Sequence, residues 1–250
     1  MPPLAIVTGA ARRVGRAVAI ELARAGFDVV LTWRTRRAEA DATATDAVAA
    51  ARAAGRADVR ADPIHLDLSS DDSVAAFVAR FQGRALDVLV LSASSYARTP
   101  FGAITAATAA EEWRVNAQSP LLLAQGLRGP LEASTLPGGS SIVAFTDIHA
   151  HGHPRRAYAP YLMSKAALAA MVECLAVEMA PRVRVNAIAP GVIAWPDDAP
   201  SDERARYEAR IPLARPGTPE DAARLVRAIT LDMPYVTGTT IRLDGGRALR

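Results

Sequence analysis

The strict alternation of short aliphatic runs with alanine-rich segments of helical spacing constrains this chain more than any other feature. The runs lie at residues 4–7, 29–33, 64–66, 88–91, 141–145, 183–188 and 239–243, and their β-branched and aliphatic side chains suit strands. Between them, apolar residues recur at helical spacing over 14–25, 38–54, 73–82, 111–125, 159–179 and 219–229. Strands that alternate with helices form a parallel sheet covered on both faces. An eight-fold barrel needs a further β/α unit, so the expected fold class is α/β: a doubly wound, Rossmann-type sheet of seven parallel strands. The 250 residues suit a single domain, 1–250, with no internal repeat or linker. The longest irregular stretch, 190–212, is rich in Pro and Asp and is expected to be a mobile lid over a site.

Composition narrows the class. A hydrophobic fraction of 50% is too high for a disordered chain. No apolar run approaches the roughly 18 residues of a membrane span, and Met1 to Pro3 lead straight into the first strand without a signal peptide. A soluble cytoplasmic protein with no membrane partner is expected. The net charge of +3 and pI of 9.4 come from arginines spread among acids, which argues against a nucleic-acid partner. Cys174 is the one cysteine and lies in an apolar helical segment, where a buried inert thiol is expected. Of 29 lysines and arginines, Lys165 is the one lysine. Arginine serves surface charge equally well, but guanidinium cannot imitate a compact ammonium of tunable pKa.

At the nucleotide end, the first strand runs into Thr8-Gly9-Ala10-Ala11-Arg12-Arg13-Val14-Gly15-Arg16 and a helix. Gly9 permits a tight turn, Gly15 permits close approach of the helix, and the free N–H groups at the helix start attract a pyrophosphate. NAD-binding folds often carry an acid at the end of the second strand to hold the ribose hydroxyls. Here that place reads Trp33-Arg34-Thr35-Arg36-Arg37, and Arg34 or Arg36 suits a 2′-phosphate instead, so NADPH is the expected cofactor. Asp67 has two readings, an acceptor for the adenine amino group or a helix cap within Asp67-Leu68-Ser69-Ser70-Asp71.

At the chemical end, Tyr161 and Lys165 are four residues apart near the start of a long helix. With Leu168, Val172, Leu175 and Met179 they share one helix face, so the pair heads the buried stripe. A lysine there lowers the cost of a tyrosinate, and the phenol's pKa is expected to fall from about 10 towards working pH.

These residues, with Asn116 in Arg114-Val115-Asn116-Ala117, Pro190-Gly191 and Asp244-Gly245-Gly246, resemble the short-chain dehydrogenase/reductase family over the whole chain. The resemblance implies that Tyr161 and Lys165 manage the proton of a hydride transfer. It also implies that Lys165 binds the nicotinamide ribose, that Asn116 holds a relay water, and that the assembly is a homotetramer. It extends the cofactor set to Arg12, Val14, Thr35, Leu68, Ser92, Ala93, Ser94, Pro190, Gly191, Val192 and Ile193. Three positions depart from the family pattern. Arg13 replaces a glycine, Asp147 replaces the serine before the tyrosine, and Leu91-Ser92-Ala93-Ser94 stands for Asn-Asn-Ala-Gly. Together they resemble the pteridine reductase branch, apart from its Asn-Asn pair.

That resemblance implies reduction of a C=N bond in a dihydropterin, with substrate contacts from Arg13, Ser94, Tyr96, Asp147 and Tyr161. Tyr96 either covers a flat heterocycle or anchors its loop against the lid. Asp147 either bonds Tyr161 or helps protonate a ring nitrogen, joining Asn116, Tyr161 and Lys165 as catalytic. His149, His151 and His153 would share one face if extended, but Gly152 and Pro154 break a strand, so lining a substrate loop is favoured over ligating a metal. Rival readings are a carbonyl reductase acting on a 3-oxoacyl thioester or ketone, and a non-catalytic NADP(H) sensor.

Overall fold

The computed structural model describes residues 2–195 and 200–250. In chain order the elements are β1 Leu4–Val7, α1 Arg13–Arg24, β2 Asp28–Trp33, α2 Arg37–Ala53, β3 Ala61–His65, α3 Asp71–Ala79 and β4 Val88–Leu91. There follow α4 Ala106–Trp113, α5 Ser119–Gly126, α6 Arg128–Glu132, β5 Ser140–Phe145, α7 Ala159–Glu178, β6 Val183–Pro190, α8 Ser201–Glu208, α9 Pro219–Leu231 and β7 Thr240–Leu243. The strands form one seven-stranded sheet in the order β3-β2-β1-β4-β5-β6-β7, and every pairing is parallel. The doubly wound α/β fold expected from the alternation is therefore the fold observed.

Strand periodicity divides the core in two, because successive side chains leave a strand on opposite faces. Leu4 and Ile6 of β1 pack in one cluster with Leu89, Ile142, Leu123 of α5 and Leu168 of α7. Ala5 and Val7 pack in the other with Val88, Val90, Leu22 of α1, Ala47 of α2 and Val226 of α9. Full burial of a Leu or Val side chain contributes about 1.5–3 kcal/mol, so both faces must be covered for these central strands to persist. The order reverses between β1 and β4, where the chain runs to opposite sides of the sheet. Beyond the carboxyl ends of these strands the fold leaves a crevice suited to a ligand.

Several elements differ from the sequence expectations. The segment 111–125 is not one helix: α4 ends at Trp113, a turn of π-helix spans Arg114–Gln118, and α5 follows. β3 begins at Ala61 rather than at 64, an edge strand that accommodates Pro63. The stretch 190–212 is no single loop. β6 runs to Pro190, α8 occupies Ser201–Glu208, and Trp195 Nε1 donates to Glu208 Oε1 at 2.9 Å; residues 196–199 of the expected lid lie outside the described residues. Cys174 is exposed, not buried. Two residues past the inward Val172, it has turned about 200° around α7 and faces away from the core. By length and composition α7 could cross a membrane, but its stripe of Tyr161, Lys165, Leu168, Val172 and Met179 is buried within the protein.

Gly15 marks the tightest join between sheet and helix. A Cβ there would meet the Gly9 carbonyl oxygen at 2.5 Å and Ala10 Cα at 2.9 Å. Helix propensity alone would favour Gly15→Ala by about 1 kcal/mol, whereas overpacking costs about 1–3 kcal/mol. The expected outcome is net destabilisation, read as a lower urea midpoint at unchanged slope; a raised midpoint would show that the loop can yield.

Candidate active site

Loops at the carboxyl ends of β1 to β6 enclose a cavity of about 520 Å³. Its nucleotide end is built by α1, whose N-cap Arg12 makes no side-chain capping bond and whose first turn holds no acid. The N–H groups of that turn are thus left for an anion. Gly9 turns at φ +66°, and a Cβ there would stand 2.8 Å from Ala93 Cα. Arg13 occupies a glycine-like backbone with φ +52°, a strain on the order of 1–3 kcal/mol that proteins concentrate at functional sites. Gly9, Arg12, Arg13, Val14, Gly15, Arg34, Thr35, Arg36 and Leu68 line the cavity, with Ser92, Ala93, Ser94, Pro190, Gly191, Val192 and Ile193.

Three expected cofactor residues, Thr8, Asp67 and Lys165, are not in that lining. Thr8 is buried, and its Oγ1 accepts from Ser92 N at 2.9 Å and Ala93 N at 3.0 Å. It ties the turn after β1 to the loop after β4. Asp67 stands between the lining residues Leu66 and Leu68. Its Oδ1 accepts from Ser69 N at 2.9 Å and Ser69 Oγ at 2.7 Å, and Ser70 caps α3 instead. Burial raises the Asp67 pKa, but the Ser69 hydrogen bonds outweigh it and hold the carboxyl below its ordinary value.

The chemical end is a dense polar cluster. Tyr161 Oη donates to Asp147 Oδ2 at 3.0 Å, and Asp147 Oδ1 accepts from His149 N at 2.7 Å. Burial first, and then the Asp147 carboxylate, push the Tyr161 pKa well above its ordinary value. The expected downward shift is therefore corrected. Lys165 Nζ lies 5.9 Å from the Tyr161 ring centroid and donates to Phe145 O at 2.8 Å. Its hydrogen bond goes to that carbonyl and not to the Tyr161 hydroxyl, and burial of the phenol prevails. Desolvation pulls Lys165 down from 10.5 to about 8, against the opposing pull of Asp147 and Glu112. Lys165 and Asn116 lie behind the cavity wall, 3% and 0% exposed.

Asn116 sits in the π turn and joins three elements. Its Oδ1 accepts from Ser94 Oγ and Ser95 N, each at 2.9 Å. Its Nδ2 lies 3.0 Å from Ser95 O, 2.8 Å from Glu112 Oε2 and 3.0 Å from Ser164 Oγ. Glu112, which the sequence reading missed, is 2% exposed and also accepts from Ser95 Oγ at 3.0 Å and Ala97 N at 2.9 Å. Its one sequence signal was the four-residue spacing to Asn116.

Tyr96 stacks on Tyr158 with centroids 4.9 Å apart and meets Tyr161 edge-on at 4.8 Å. Arg155 Nη1 donates to its hydroxyl at 3.1 Å. Tyr96 is thus anchored beside Tyr161, and its loop packs on Tyr158. Arg155 and Tyr207 are further lining residues that the sequence reading missed. The histidines do not share an extended face: Ile148–Ala150 forms a 3₁₀ turn, His149 is buried, and His151 and His153 are exposed. His149 lines the cavity, with Nδ1 2.8 Å from His153 O and Nε2 3.2 Å from Tyr207 Oη.

A doubly wound sheet with a phosphate-ready turn and a buried Asn, Tyr and Lys set defines a nicotinamide-type oxidoreductase. The chain belongs to the short-chain dehydrogenase/reductase family, and residues 9–248 match the family profile described as enoyl-(acyl carrier protein) reductase. It is 32% identical to Protein FixR of Bradyrhizobium diazoefficiens, over 99% of this chain and 87% of that protein. The crystal structure of acetoin dehydrogenase YohF from Salmonella typhimurium superposes with a TM-score of 0.86 at 32% identity, covering 100% of this chain and 97% of that one. At 30% identity the chain also matches the 3-oxoacyl-[acyl-carrier-protein] reductase FabG of Aquifex aeolicus, over 97% of this chain and 96% of that protein. It is 30% identical to pteridine reductase 1 of Leishmania tarentolae, over 99% of this chain and 96% of the relative.

Because Tyr161 stays protonated across the working range, Lys165 is the member of the pair that titrates near it. Below about 8 its ammonium is retained, and above it the charge is lost. Turnover is expected to fall as pH rises through about 8 in a kcat/KM profile. Lys165→Arg is expected to keep cofactor binding yet lose turnover by about 100-fold or more, the usual scale for a proton-transfer group. A variant within a few-fold of the parent would overturn this role.

Proposed function

We propose that this protein is an NADPH-dependent reductase of the C=N bond of a pterin-like heterocycle. The contact between Tyr161 Oη and Asp147 Oδ2 at 3.0 Å carries the reading. A carboxylate presents acceptors only, whereas a serine hydroxyl donates. An Asp beside the acid tyrosine therefore suits a substrate whose ring offers N–H groups, and stands against a bare carbonyl oxygen. The likeness to pteridine reductase 1 supports the same reading.

The residues present fit a dinucleotide. The uncapped start of α1 and the close Gly9–Gly15 turn would take its pyrophosphate. Arg34 would meet the 2′-phosphate, because its carboxylate neighbour Glu111 is 3.9 Å away, whereas Arg36 is bonded to Glu39 at 2.8 Å. When bound, the cofactor supplies a hydride to the C=N carbon. Tyr161 would deliver its proton to the nitrogen and be left as a phenolate, whose charge the buried Lys165 ammonium would offset until a proton returns from solvent, while Asp147 would orient that hydroxyl and accept a ring N–H. Tyr96 walls the ring's side of the cavity.

A second reading, reduction of a ketone or 3-oxoacyl thioester, is supported by the likeness to FabG and to acetoin dehydrogenase. NADPH oxidation against dihydrobiopterin, dihydrofolate and a ketoester panel separates the two. Turnover of dihydropterin at least tenfold above the ketoesters is expected, and turnover of ketoester alone would refute the pterin reading. Asp147→Ser is expected to lower the ratio of pterin to ketoester turnover by about tenfold or more, since one charge-assisted hydrogen bond is worth about 1.5–3 kcal/mol.

Arg34→Ala should raise the KM for NADPH by about tenfold and leave that for NADH unchanged, as loss of one charge-assisted phosphate contact requires. Equal effects on both cofactors would remove Arg34 from that contact.

A further inference from the structure

A second cavity, of about 710 Å³, adjoins the first and shares His149, Arg155 and Tyr207 with it. Seven of its lining residues are arginine, and no aspartate or glutamate lines it among the described residues. They come from distant places in the chain: Arg98 follows β4, Arg155 and Arg156 follow β5, Arg206 and Arg210 lie on and after α8, and Arg247 and Arg250 follow β7.

This collection differs from the chain's other arginines. Arg16, Arg24, Arg36, Arg128 and Arg227 each pair with a carboxylate within 2.9 Å. Around the second cavity, Arg206 pairs with Asp202, but Arg98, Arg156, Arg210, Arg247 and Arg250 have no aspartate or glutamate at ion-pair distance among the described residues, and Arg247 reaches only the terminal carboxylate of Arg250.

Arg247 is the most telling. It is 6% exposed, its Cζ lies 4.9 Å from the Tyr207 ring centroid, and its Nη1 donates to Arg250 O at 2.6 Å. Its buried Nε has no hydrogen-bond partner. Burying a guanidinium with an idle donor among like charges is costly unless an anion completes it.

The cavity is also placed to meet a molecule undergoing reduction. Arg155, in both walls, donates to Tyr96 Oη, and the Tyr96 ring lies 4.8 Å from that of Tyr161. None of the residues from Gly9 to Arg36 that form the nucleotide end lines it. The charge is therefore not there for the cofactor's phosphates.

We propose that this cavity binds an anionic group, carboxylate or phosphate, on the far end of the substrate whose reducible bond lies at Tyr161. The proposal deepens the reductase reading and rests on it for the identity of the reacting end. The guanidinium forks would grip the anion in charge-assisted hydrogen bonds, and the aromatic wall of Tyr207 would cover the linker. Substrates with neutral tails would leave the arginines repelling one another.

Matched substrates test this: dihydrofolate for a carboxylate tail, dihydroneopterin monophosphate for a phosphate tail, and dihydrobiopterin for a neutral one, with acetoacetate and its ethyl ester as the carbonyl pair. At least one anionic member is expected to exceed its neutral counterpart by about tenfold or more in kcat/KM. The double variant Arg156→Ala/Arg210→Ala, both exposed positions, is expected to reduce that ratio by at least about tenfold. Citrate titrated into the NADP+-saturated protein provides a readout that does not depend on turnover. Binding that weakens about tenfold or more in the double variant supports the anion site even if neither pterin nor ketone is reduced. Equal preference for charged and neutral substrates, or citrate binding unaltered by the variant, would overturn the proposal. A change in molar mass of the double variant in solution would also overturn it, assigning the arginines to an acidic face of a second copy.

Discussion

The side chain of Asn116 has no access to solvent, so each of its polar atoms has to be satisfied inside the protein. That requirement organises the chemical end of the molecule. The amide oxygen fixes Ser94 and Ser95 of the loop after β4, and the amide nitrogen fixes Ser164 on α7 and Glu112 at the end of α4. Ser164 in turn donates to Tyr161 O at 2.7 Å. A wider helical turn at Arg114–Gln118 is what aims the amide into this junction. The loop carrying Tyr96 and the helix turn carrying Tyr161 are thereby held to one another, which is how two aromatic rings from distant segments come to lie edge-on. Such a network stabilises only when complete, since an unpaired buried amide costs about 1–3 kcal/mol.

Burial then sets the two titrating groups in opposite directions. It keeps the proton on Tyr161 and loosens the proton on Lys165. The phenol is a donor at rest, and the ammonium becomes responsive near about 8. A lysine on the surface would not respond there, and an arginine at any depth would keep its charge. The site thus uses the one residue type that the rest of the sequence avoids. The tyrosine differs from the sequence expectation because the helix-face argument located Tyr161 and Lys165 correctly but weighed neither the desolvation of the phenol nor the Asp147 carboxylate bonded to it.

Features that recur along the chain were legible. The seven parallel strands of a doubly wound sheet followed from β/α alternation, and the burial of Tyr161, Lys165, Leu168 and Val172 followed from helical spacing. Features made by a local change of period were not. The π turn adds no compositional signal, so 111–125 read as a continuous helix and Glu112 went unnoticed as a partner of Asn116. In α8, Tyr207 is the one buried residue among Ser201–Glu208 whose side chains are described, which gives no periodicity to detect. The arginine cavity was hidden for a different reason. Its members are scattered from Arg98 to Arg250 in a chain that uses arginine nearly everywhere, and only the return of β7 beside β6 brings Arg247 to Tyr207.

Asp147 links the two cavities. As the N-cap of the Ile148–Ala150 turn it spends Oδ1 on His149 N, and it spends Oδ2 on Tyr161 Oη. The first bond fixes the turn that sets His149 against Tyr207 in the shared wall; the second orients the Tyr161 hydroxyl. A serine, with one oxygen on a shorter stem, would reach one of these partners and release the other. The exchange of serine for aspartate therefore alters more than the acid–base character beside the tyrosine. It makes the orientation of the Tyr161 hydroxyl depend on the same carboxylate that holds the turn carrying His149 into the wall shared with the arginine cavity, so that, on the proposed function, the chemistry at one end of a substrate and the recognition of its other end would be mechanically joined.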